Sequence, residues 1–84
     1  MIKAIYPGEN GRTTATLDEI NLEEVTFNDV INGLENEKKI STTGMTYFML
    51  DPVSNQPVDK NVSLASLGVK EGDTIEIFGK AMAA

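Results

Sequence analysis

One segment of this chain carries a continuous helical period, and the rest must be arranged around it. Phe27, Val30, Ile31 and Leu34 stand at i, i+3, i+4 and i+7, a single apolar stripe. Asn28, Asp29, Asn32 and Glu35 fall off that stripe, toward water. Thr26 can cap the first turn, with Asp29 three residues on as its reciprocal partner. Lys38 and Lys39 close the segment, where cations suit the helix dipole. Gly33 costs roughly 1 kcal/mol against Ala inside a helix. A helix of about three turns with that handicap needs something to pack on.

Strands supply it. Met1 to Tyr6 reads as a strand, with Ile2, Ala4 and Tyr6 alternating against Lys3 and Ile5. Pro7 to Gly11 is dense in turn formers, and Asn10-Gly11 is the pair suited to positive φ in a hairpin. Arg12 to Leu17 is a second strand, rich in Thr, with Ala15 and Leu17 on one face. Asp18 to Val25 is an acidic link anchored by Ile20, Leu22 and Val25; its carboxylates Asp18, Glu19, Glu23 and Glu24 read as a solvated loop, since they lack calcium-loop spacing. Met45 to Asp51 is a third strand, expected to turn Phe48 and Leu50 toward the helix and Tyr47 and Met49 away from it. Pro52 to Pro57 is a turn region, and Val58 begins at most a very short strand. Leu64 and Leu67 suit a tight helical turn, with Val69 as a buried anchor. After the turn at Glu71-Gly72-Asp73, Thr74 to Phe78 is the closing strand, with Ile75 and Ile77 facing the core. A hairpin, one crossing helix and further strands predict an α+β fold: a mixed sheet of four to five strands with the helix across one face.

Composition removes most chemistry. With 84 residues the chain fits one domain, and a domain this small buries only roughly 60% of its unfolded surface. Cys, His and Trp are all absent, so there is no thiolate nucleophile, no imidazole base and no zinc–sulfur site. No nucleophile–base pair is visible, and no cofactor motif: Tyr6 to Gly11 has two glycines but neither the Lys nor the following helix of a phosphate cradle. The expectation is a protein without enzymatic activity. A net charge of −6 disfavours nucleic acid and anionic membrane as partners and suits a basic protein surface. No apolar run approaches the roughly 18 residues of a membrane helix, and Met1 to Tyr6 is too short for a signal peptide, so a cytoplasmic monomer is expected.

The second half carries a resemblance. From Asn55 to Ile77, a turn and short strand lead to Ser63-Leu64 and Val69, then a polar turn, then a closing strand. Leu64, Val69, Ile75 and Ile77 stand at the core positions of that pattern, which resembles the ubiquitin-like β-grasp family. With the hairpin and helix, the likeness of pattern spans nearly the whole chain. It implies a domain over residues 1–78 and a flexible tail over residues 79–84. The loop from Pro52 to Pro57 is longer than the family's, and the chain reads Ala83-Ala84 where modifiers and sulfur carriers end in Gly-Gly.

The resemblance implies two functional features. One is a conjugation tail of Gly79, Ala83 and Ala84, in which the carboxylate of Ala84 is adenylated and Ala83 gives the clearance that small residues provide. The other is a partner patch of Tyr47, Met49 and Phe78 on the exposed face of the sheet. The expected function is that of a bacterial ubiquitin-like modifier. Its partners would be an E1-like adenylating enzyme, an E2-like protein and a processing peptidase. The alternative is a non-covalent adaptor, resembling the small ubiquitin-like accessory proteins of type VII secretion. Sulfur carriage is a third class, weakened by the missing Gly-Gly.

Overall fold

The computed structural model describes residues 1–51 and 53–82. Strands β1 (Ile2–Gly8) and β2 (Gly11–Leu17) form an antiparallel hairpin whose register runs from Ile2↔Leu17 to Gly8↔Gly11. The strands continue one to two residues further than the turn formers suggested. The turn itself is Glu9-Asn10, and it is Gly11, at φ 106°, that takes the positive φ. Pro7 is tolerated inside β1 because alternation aims its missing N–H away from β2, beyond the end of the neighbouring strand, which pairs only with Lys3 to Ile5.

Helix α1 (Phe27–Asn36) begins as the capping residues predict. Thr26 Oγ1 accepts from the Asp29 N–H at 3.2 Å, and Asp29 Oδ2 accepts from the Thr26 N–H at 3.0 Å. Its end is made by Lys38 at φ 60°. The Lys39 N–H donates to Leu34 O and the Lys38 N–H to Glu35 O, the paired bonds of a Schellman stop, with Lys where Gly is usual. All four stripe residues are buried, in one cluster with Ile2, Ala4, Tyr6, Ala15 and Ile75. The helix therefore covers one face of the strands.

β3 (Met45–Phe48) is shorter than expected; Leu50 instead bridges to Pro57. A turn of 3-10 helix at Ala65–Leu67 follows Leu64, which is fully buried, and Val69 is buried after it. The closing strand is two strands. β4 (Thr74–Glu76) runs parallel to β1, and β5 (Phe78–Ala81) runs antiparallel to β3. Ile77 joins them; it is fully buried, and its N–H donates to Ile5 O at 2.7 Å. The chain thus changes partner at Ile77, from one side of the sheet to the other. The strand orders are β2-β1-β4 and β3-β5. The result is α+β, one helix on a mixed set of strands.

Two expectations are corrected here. Tyr47 and Met49, expected on the outer face, are buried at 7% and 8% exposure, while Phe48 and Leu50, expected to meet the helix, are the half-exposed ones. Every residue from Met45 to Leu50 except Thr46 is apolar or aromatic, so alternation alone cannot choose a face. Packing chooses it. The Tyr47 hydroxyl donates to Ser41 O at 2.9 Å, and Gly79 stands opposite the ring with no side chain in its way. The second correction is the tail. Gly79, Lys80 and Ala81 belong to β5, so the strand runs three residues past its expected end, and the Met82 N–H donates to Gly44 O at 3.0 Å beyond it.

Candidate interaction face

Alternation along the strands leaves one face of the sheet uncovered by the helix. β1 turns Lys3 and Ile5 to it, β2 turns Arg12, Thr14 and Thr16, and β4 turns Thr74 and Glu76, as their registers require. β3 and β5 add Phe48 opposite Phe78 and Thr46 opposite Lys80. At the hairpin end this face is organised around one aromatic pair. The rings of Phe48 and Phe78 stack with centroids 5.8 Å apart and planes at 29°. The Arg12 guanidinium lies over the Phe78 ring, 5.0 Å from its centroid. It is held there by donating Nη1–H to Ile77 O at 3.0 Å, and by the Glu76 carboxylate 3.7 Å from Nη2. Arg12 thus reaches from β2 across β1 to the point where β4 passes into β5, and it fixes the aromatic pair in place. Both Phe residues stay half-exposed.

Beside the pair is a groove of about 390 Å³, where β4 and the segment after β3 part. Met49, Leu50, Leu67, Val69, Ile75 and Phe78 give it an apolar lining, with Asp73 and Glu76 at its rim. Leu50 bridges outward to Pro57 and has no strand partner in β4, which is what leaves the gap.

Beside the hairpin turn, a second cleft of about 550 Å³ lies among Pro7, Glu9, Glu35, Lys38, Lys39 and Tyr47. Its ordered polar contact is Glu35. The Thr42 hydroxyl and the Thr42 N–H, the latter at 3.0 Å, both donate to Glu35 Oε2. The hydroxyl bond first and the backbone bond second hold this carboxyl below its ordinary value. The contact ties the helix end to the loop entering β3.

The sequence-predicted site residues are divided by the fold. Phe78 is on the open face as expected. Tyr47 and Met49 are in the core and cannot join it. Gly79 is a packing position: a Cβ there would stand 3.0 Å from Met45 Cε and 3.1 Å from Tyr47 Cε1. Ala83 and Ala84 lie outside the described residues. Asp18, Glu19, Glu23 and Glu24 are exposed, and among the described residues no group of three or more Asp or Glu is placed to hold a metal ion. Sequence reasoning missed Phe48, Leu50 and Arg12. An Arg opening a Thr-rich strand carried no sign that it would cross a neighbouring strand to reach Phe78. Among the described residues no helix is long and apolar enough to cross a membrane. A scan against protein-family models finds no match for this chain, and a search of curated proteins returns no similar sequence.

Proposed function

We propose that this chain is a ubiquitin-like β-grasp module that works by non-covalent binding, as an adaptor within a protein complex, and that the open face around Phe48 and Phe78 is its docking surface. The observation that carries this reading is the half-exposed aromatic pair held by Arg12. Rings of this size are ordered on a surface at some cost in exposed apolar area, and binding sites concentrate on rigid aromatic anchors of this kind. The order β-β-α-β-β-β, with a parallel β4 beside β1, supports the β-grasp part of the reading. Bacterial secretion complexes of the type VII kind are one setting that the sequence resemblance offers.

The modifier reading asks more of the geometry. An acyl carrier must thread an extended C-terminal segment into a narrow channel. Here residues 79–82 are paired with β3 and its leading turn, so β5 would have to peel away first. The two readings separate in one experiment. Tagged wild-type chain, a variant lacking Ala83 and Ala84, and a Phe48→Ser/Phe78→Ser variant are each incubated with ATP in extract of the source cells, and intact masses and bound proteins are compared. Adaptor function predicts a partner released by denaturant, retained by the truncation and lost with the two Phe side chains. An ATP-dependent covalent adduct that disappears with Ala83 and Ala84 would establish the modifier instead.

A further inference from the structure

We infer that the partner of the open face is acidic: a protein segment presenting carboxylates around one or two apolar side chains. This rests on the docking surface proposed above and names the chemistry of what docks. The whole-chain charge of −6 points the other way, toward a basic partner. The fold separates the charges. Of seven cations in the chain, Lys3, Arg12 and Lys80 stand on the open face; of thirteen anions, Glu76 has its strand position there and Asp73 lines the adjoining groove. The face is therefore net positive on a strongly negative molecule. Arg12 already shares its charge with Glu76. Lys3 and Lys80 are exposed and, among the described residues, form no ion pair. Asp73 lines the groove beside Thr74, the register partner of Lys3, and repels carboxylates at that end. The partner's anions then gather at the Lys80 and Arg12 end, with its apolar side chains on Phe48 and Phe78. Complementary charge of this kind steers encounter and sets orientation, while the aromatic contacts supply the affinity.

Basic residues beside surface aromatics also fit single-stranded nucleic acid, whose bases stack on such rings. Two features favour the protein segment. The Phe48 and Phe78 rings stack on each other and Arg12 lies over Phe78, so the rings do not stand apart as separate platforms for successive bases. The other four cations share the rest of the surface with twelve anions, so a long polyanion has no track to follow beyond the patch.

The test is a display selection of random 16-residue peptides on the full chain, with binders mapped by amide chemical shifts and measured against a Lys3→Glu/Lys80→Glu variant. The two substitutions are at exposed positions, and an unchanged urea midpoint verifies that the variant folds. The expected result is peptides of net negative charge carrying aromatic or aliphatic residues. They should perturb Ile5, Phe48, Phe78 and Lys80, and the double reversal should weaken them by about tenfold. Basic or neutral peptides on the same face would overturn the acidic partner while leaving the docking surface standing. Peptides that map elsewhere, or no enrichment at all, would overturn both. A single-stranded (dT)15 that binds the face more tightly than any selected peptide would replace the protein segment with nucleic acid.

Discussion

The β1–β2–β4 strands and the β3–β5 ribbon belong to one fold but use their two faces differently. In the first, Ile2, Ala4, Tyr6, Ala15 and Ile75 are buried under the helix, and the reverse side is mostly Lys3, Thr14, Thr16, Thr74 and Glu76, with Ile5 as the exception. In the ribbon both sides carry aromatic rings: Tyr47 inward, and Phe48 and Phe78 outward beside Thr46 and Lys80. A polar reverse side asks only for water. An aromatic pair left open on a four-residue ribbon weakens a small domain's margin against aggregation unless something covers it. The difference teaches where structure and recognition share strands: one side of β3 holds the fold, the other is free to bind.

The largest effect tests that division directly. Tyr47→Ala should lose roughly 3–4 kcal/mol, through cavity formation and the lost bond to Ser41 O. Phe48→Ala, one residue on, should lose roughly 1 kcal/mol. Urea unfolding of the two variants reads the contrast, and equal losses would mean that the two faces of β3 are not distinct. Next is Gly79→Val, which should destabilise by about 1–3 kcal/mol, because Met45 can swing aside but the Tyr47 ring is fixed from both ends. A Gly79→Val chain as stable as wild type would show β5 unpaired from β3 in solution. Smaller again is Arg12→Ala, expected to cost about 1 kcal/mol, from its half-exposed hydrogen bond and ring contact. Phe78 side-chain NMR signals should broaden in that variant; unchanged signals would show that Arg12 does not hold the ring.

The smallest effect lies where the helix hands the chain to β3. Glu35 is held below its ordinary value of 4.5 by the Thr42 hydroxyl, then by the Thr42 N–H. A lowered folded-state pKa adds stability that is present above the unfolded value and is lost as pH falls through the folded one. Thr42→Val should raise the Glu35 carboxyl toward 4.5 in a carbon-detected titration. The small stability difference between variant and wild type should be seen at neutral pH and fade in acid. A difference that persists well below that range would place the effect in packing.

The helix was the most legible element, because its information is local: a cap, a stripe and a period, all within eleven residues from Thr26 to Asn36. β1 and β2 were nearly as clear, since polar and apolar residues alternate and a wrong face would bury Lys3 or Thr16. β3 offered no such penalty, and the outward expectation for Tyr47 and Met49 was inverted there. Gly79 misled for a related reason. A small residue just past an apolar strand reads as the start of a flexible tail, yet this one makes room for a ring supplied by a strand more than thirty residues earlier.

The sequence by itself determined the helix, the hairpin, the buried Ile75 and Ile77, and the absence of thiol and imidazole chemistry, because each follows from composition or from spacing within a few residues. Only the tertiary structure decided which side of the ribbon meets the helix, how far β5 extends, and that three cations gather on one face of an acidic chain. Those are outcomes of pairing between distant strands, and a pairing register places side chains that no local pattern connects.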